Sequence, residues 1–197
     1  MADVFVIATG VANLASVMAA WRRLGLVAET TTDAATVHNA PRVMLPGVGS
    51  FGAAMQALEK HGMAEALRYR WQHKKPLMAI CVGLQVLAEK SEESDGARGV
   101  GIIPHNIVAI PAAPRLPQFG WNDVEGEGNF PYASGFAYFA NSYCLPKIPA
   151  GWQGAWVDYG SRFVAAMSCH NWLACQFHPE LSGPYGARIM TQWVQSC

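Results

Sequence analysis

Three side chains in this sequence have the types and the spacing to do covalent chemistry on an acyl group: Cys81, His178 and Glu180. Cys81 lies in PLMAICVGLQVLAEK, between an apolar run and a segment with helical character. The order strand, cysteine, glycine, helix puts a nucleophile on a tight turn that pushes its sulfur out at the carboxyl end of a sheet. Small neighbours are needed there because the helix packs back against the strand. Gly83 meets that need, and Ala79 holds the other small position. The N-terminal end of the following helix favours thiolate over thiol. Alone, the pattern fits equally a buried cysteine acting as a small hydrophobe, so a base is required.

QFHPE supplies one. His178 and Glu180 are two positions apart, and in extended backbone such side chains share a face. Glu180 can accept from one imidazole nitrogen and leave the other facing a thiol, which is the logic of a nucleophile–base–orienter triad. The preceding WLACQ reads as a strand ending at the same rim of the sheet as Cys81, although His178 lies 97 positions from Cys81 in sequence. His38, His61, His73, His105 and His170 have no carboxylate at such spacing in a strand-end context. The third element is LPGVGSFG at 45–52, where Gly47, Val48 and Gly49 let backbone amides turn inward, as an oxyanion hole requires. A glycine-rich loop between strand and helix also suits a phosphate, but no GxxxxGK[ST] is present.

The elements that must position these residues alternate. VFVIA (4–8) reads as a short strand apolar enough for burial on both faces, and LVAET (26–30), RVML (42–45) and PLMAI (76–80) read as the second, third and fourth strands. Helices are predicted between them, one carrying Leu14, Val17, Met18, Trp21 and Leu24 and stopped by Gly25, another carrying Met55 and Leu58. GLQVLAEK (83–90) is predicted as the helix after the fourth strand, and a last helix covers roughly 184–195. This is α/β patterning: a mostly parallel central sheet with helices on both faces. Residues 104–165, rich in proline, glycine and aromatics, predict a β-rich additional segment, and the 197 residues read as one domain.

Composition narrows the classes. Hydrophobic residues make up 51% and charged residues 14%, enough for a large core and low enough for a partner to cover some apolar surface. Lys plus Arg and Asp plus Glu are 14 each, with no basic block, which argues against a nucleic-acid surface. The N-terminus lacks signal-peptide character, and no apolar run is long enough to span a bilayer. Five cysteines without a CxxC pair fit reduced thiols in a cytoplasm better than a disulfide framework or zinc ribbon.

Together the elbow, the glycine loop and the late His-Pro-Glu resemble the class I (triad) glutamine amidotransferases. PGVGSFGAAM is similar to the oxyanion loop of the amidotransferase subunit of imidazole glycerol phosphate synthase. So are TGVANLASV (9–17), SEESDGARGVGII (91–103), FGWNDV (119–124), YFANSYC (138–144) and QFHPELSGPYGARIM (176–190). The resemblance spans nearly the whole chain. It implies a Cys81–His178–Glu180 triad that hydrolyses glutamine to glutamate and ammonia, with no metal or organic cofactor. The backbone of Val82 and one amide of the Gly47–Val48–Gly49 loop would hold the oxyanion. Gln85, Ser142 and Tyr143 match positions near the substrate, while Asn13, Gly120, Trp121 and Asn122 match the face toward a (β/α)₈-barrel cyclase that receives the ammonia. The chain departs from the pattern at Ala8, Ala79, Gln118, Phe119 and Cys144. An amidotransferase serving another synthase, or a catalytically weak scaffold for the barrel, would carry much of the same pattern.

Overall fold

The computed structural model describes residues 2–8, 10 and 12–197; Thr9 and Val11 of the TGVANLASV stretch lie outside the described residues. The expected strand–helix alternation is present. β1 (Val4–Ile7), α1 (Leu14–Arg23), β2 (Ala28–Thr31), α2 (Ala34–Asn39), β3 (Val43–Gly47), α3 (Phe51–Lys60), α4 (Met63–Gln72) and β4 (Leu77–Cys81) follow in order. After the short α5 (Val82–Gln85) come β5 (Lys90–Ser91), β6 (Asn106–Ala109), β7 (Gln118–Gly126), β8 (Gly135–Asn141), β9 (Tyr143–Cys144), β10 (Gln153–Asp158), β11 (Arg162–Cys169) and β12 (Trp172–Cys175). A 3₁₀ turn at Pro179–Leu181 leads into α6 (Gly183–Ser196).

Nine strands form one sheet in the order β2-β1-β3-β4-β12-β11-β10-β7-β8. The first five neighbours pair in parallel and the remaining ones antiparallel. The β-rich segment expected from 104–165 divides: β7, β8 and β10 extend this sheet, while β6 and β9 join β5 in a separate three-stranded sheet, in the order β5-β6-β9. β3, β4 and β12 are buried along their whole length, as their unbroken apolar sequences require of strands covered on both faces. Two helix groups cover the sheet. In one, α1 and α6 meet through Trp21 and Trp193, ring centroids 6.2 Å apart; in the other, α4 packs against both α2 and α3.

Two local departures from the sequence patterns have physical causes. The helix expected over 83–90 ends at Gln85. The carbonyls of Val86, Leu87 and Ala88 instead accept from the amides of Val100, Ile102, Ile103 and Gly101, so a non-local pairing takes the backbone that a longer helix would use. Gly99 allows this approach, since a Cβ there would stand 2.1 Å from the Ala88 carbonyl oxygen. The second departure is α4, whose buried stripe of Met63, Leu67 and Arg70 contains a cation where an apolar residue is expected. The Arg70 guanidinium is fully buried and donates to the carbonyls of Val37, Ala40, Pro41 and Pro76, tying α2 and the β3 and β4 entries to α4. Burial lowers its pKa to about 10, which leaves it charged at neutral pH.

Candidate active site

Parallel pairing of β12 with β4 closes the long sequence gap. Cys175 lies opposite Ile80 in register, so the residues that follow each strand, Gln176 to His178 and Cys81, emerge side by side at the carboxyl rim. Cys81 holds a φ of +53° and ψ of −111°, a conformation a non-glycine residue adopts only where the surroundings enforce it. What enforces it is the return of α5 against β3. A Cβ on Gly83 would stand 2.0 Å from the Leu45 carbonyl oxygen, and one on Gly47 would stand 2.7 Å from the Gly83 nitrogen. The elbow needs both glycines.

His178 Nδ1 is 2.8 Å from Glu180 Oε1, and the imidazole also makes a side-chain contact with Cys81. All three side chains are buried, with 3–6% of their surface exposed. The 3₁₀ turn at Pro179–Leu181 folds Glu180 back to the ring. Ser182 Oγ steadies that turn, donating to the His178 carbonyl at 2.6 Å and accepting from the Tyr138 amide. Burial alone would lower the imidazole pKa. Hydrogen bonds and charge from Cys81 and Glu180 outweigh it and raise the value to about 10. Burial raises the thiol pKa of the other four cysteines, Cys144 to about 12 and Cys169, Cys175 and Cys197 as well, which disfavours their thiolates.

A cavity of about 140 Å³ opens over Cys81, lined by Gly49, Val82, Gln85, Glu93, Pro117, Ala140, Asn141, Ser142 and Tyr143. A thiol beside an imidazole–carboxylate pair, with backbone amides close by, is equipped for acyl transfer.

With that geometry in place, the comparisons decide the family. The family model for glutamine amidotransferase class-I matches residues 11–196. Curated relatives named imidazole glycerol phosphate synthase subunit HisH include one from Symbiobacterium thermophilum, 35% identical, with 98% of this chain and 93% of that protein covered. Another, from Thermus thermophilus, is 39% identical, with 92% and 91% covered.

The chain belongs to the class I glutamine amidotransferase family.

Solved structures agree on the fold. A crystal structure of glutamine amidotransferase superposes with a TM-score of 0.79 at 20% identity, covering 98% of this chain and 97% of that one. PurLQS from Thermotoga maritima gives 0.76 at 18%, covering 98% and 96%. In this amidotransferase the sequence-predicted positions separate into those that reach the cavity and those that do not. Val82 and Gly49 line it. Gly47 sits behind, opposite Cys81 in register, and the Val48 side chain is exposed. Gly49 has a φ of +84° and open space around its missing Cβ. Gln85, Ser142 and Tyr143 all line the cavity, and Gln85 Nε2 donates to the Tyr143 carbonyl at 2.9 Å.

Among the positions expected on a partner face, Trp121 is exposed and stacks on Phe136 with centroids 5.7 Å apart. Gly120 and Asn122 alternate with Trp121 along β7 and so turn to its other face. The Asn122 side chain is used within the fold, donating to the Asp158 carbonyl at 2.8 Å. Asn13 is exposed and caps α1, accepting from the Ser16 amide. Sequence reasoning passed over Phe119 as a partner residue, although at 70% exposure it is the most open large hydrophobe among the described residues. Its signal was the i, i+2 pairing with Trp121. The helix dipole expected behind Cys81 is corrected too: α5 is a single turn and carries little of one.

Proposed function

We propose that this chain is the glutaminase subunit of an imidazole glycerol phosphate synthase, releasing ammonia for a (β/α)₈-barrel cyclase in histidine biosynthesis. The carrying observation is the buried Cys81–His178–Glu180 constellation on adjacent parallel strands. Cys81 sulfur attacks the side-chain carbonyl carbon of glutamine, with its proton held on His178. The oxyanion forms near the Val82 amide and an amide of the Gly47–Val48–Gly49 loop. Collapse of the tetrahedral adduct breaks the C–N bond, and His178 protonates the leaving ammonia. Water then attacks the γ-glutamyl thioester, losing a proton to His178, and glutamate leaves as the thiol is restored. Glu180 holds the ring in place throughout and stabilises its cationic form. Gln85, Ser142 and Tyr143 bind the glutamine. No metal or organic cofactor enters this sequence of steps.

The names of the HisH relatives support the pathway, and the surface beside the site supports a partner. Leu116, Phe119, Trp121, Phe136 and Leu181 are all exposed. They adjoin the cavity through Pro117 and the Glu180 turn through Leu181, which fits a partner that caps the site and receives its product. Glutamate release is measured with the chain alone and with a barrel cyclase carrying its ribonucleotide ligand. Weak release alone that rises in the loaded complex is the expected result, and Cys81→Ala abolishes it, a loss of about a thousandfold or more. Full hydrolysis by Cys81→Ala overturns the triad, and equal release with and without the barrel overturns the pairing.

A further inference from the structure

Gln176 is fully buried at the end of β12, two residues before His178, and both ends of its amide are in use. Its Oε1 lies 3.1 Å from Gln85 Nε2, and its Nε2 lies 3.6 Å from Cys81 Sγ. The orientation of this chain of amides follows from its anchor. The Tyr143 carbonyl can only accept, so the Gln85 atom 2.9 Å away must be its NH₂ group. A second hydrogen of that NH₂ then points at Gln176, whose near atom must be the carbonyl oxygen. The Gln176 NH₂ is left with the sulfur. Across from it the Ala140 carbonyl, 3.9 Å from Sγ, can accept from the thiol alone and offers nothing to a thiolate.

From this relay we infer that Gln176 is a hydrogen-bond donor to the nucleophile, stabilising the Cys81 thiolate and fixing the direction of the sulfur, with its own orientation set from the substrate wall through Gln85 and Tyr143. A hydrogen bond to a charged acceptor is worth more than one to a neutral thiol, so the donor favours ionisation. The relay also runs from a residue lining the glutamine cavity to the attacking atom, along a path separate from the imidazole. This deepens the reading of Cys81 as the nucleophile and rests on that reading for its catalytic meaning.

The test is alkylation of Cys81 by iodoacetamide in the full chain, followed by mass spectrometry of the Cys81 peptide as a function of pH. The titratable groups facing the sulfur are His178, Glu180 behind it, and Glu93 across the cavity; all are retained in the variants. Gln176→Met keeps volume and removes the donor. The pH of half-maximal alkylation is expected to rise by about one unit. Gln176→Glu, which replaces the donor with an acceptor, is expected to move it further the same way. A purely structural Gln176 would change melting temperature and leave the Gln176→Met profile where it was, and that result overturns the inference. Should both variants fail to fold, Gln85→Met, which frees the Gln176 amide to turn, carries the test: a smaller upward shift supports the relay and an unmoved profile overturns it. Alkylation reads the sulfur itself, so a chain that releases no glutamate would fail the proposed function and leave this measurement intact.

Discussion

The two halves of the sheet are built for different work. In the parallel half, β3, β4 and β12 are buried end to end, and the reactive side chains stand where those strands stop. In the antiparallel half, β7 alternates, with Gln118 and Val124 inside and Phe119, Trp121 and Asp123 outside. Those three strands have no free surface, so a change there must displace backbone. The antiparallel half keeps an open face, so a change there is felt by whatever docks on it. Precision at the triad comes from the first property, and access for a partner from the second.

Gly83→Ala breaks the comparison hardest. A Cβ 2.0 Å from a backbone oxygen cannot be absorbed by rotating a side chain. The elbow must open, with a stability loss of about 3 kcal/mol in chemical denaturation and a fall in glutamine hydrolysis of about a hundredfold. Retention of wild-type activity would mean that the close approach of β3 and α5 is unimportant to Cys81. Trp121→Ala addresses the other half. Removing an exposed aromatic anchor is expected to weaken barrel binding by about 2 kcal/mol in titration calorimetry, while the melting temperature of the isolated chain hardly moves. An unchanged affinity would place the docking face elsewhere.

The smallest effect is on pH. The His178 pKa is raised in the fold from 6.5 to about 10, so its proton is bound more tightly in the native state. Its contribution to stability is complete below about pH 6.5 and is lost as pH rises through about 10. Melting temperatures of the chain and of Glu180→Gln, compared from pH 6 to 10, isolate this term. Their difference is expected to be largest at the acid end and to shrink toward pH 10, and a difference that is flat or grows with pH would contradict the assigned coupling.

Much of the candidate site was legible because its arrangement depends on residue type and short spacing. Cys81 before Gly83, and His178 two positions before Glu180, carry their meaning in any extended strand end. Gln176 was not legible. It stands in the same QFHPE motif, but its role needs Gln85 and Tyr143 brought beside it from 91 and 33 positions away. Arg70 disguised α4 for a related reason, because its four carbonyl partners come from other elements and make a buried cation acceptable. The helix expected over 83–90 was overruled by pairing with 99–103, and local periodicity contains no trace of that pairing.

The amino-acid sequence by itself determined the strand–helix alternation, the cysteine on its glycine turn and the histidine with its carboxylate. These follow from local sterics and from side chains within a few positions of one another. Only the tertiary structure decided that β12 lies beside β4, and with it the meeting of thiol and imidazole. It also decided the direction of the Gln176 amide and which face of β7 stays open. Those outcomes depend on strand order and register, which are set by burial summed over the whole sheet.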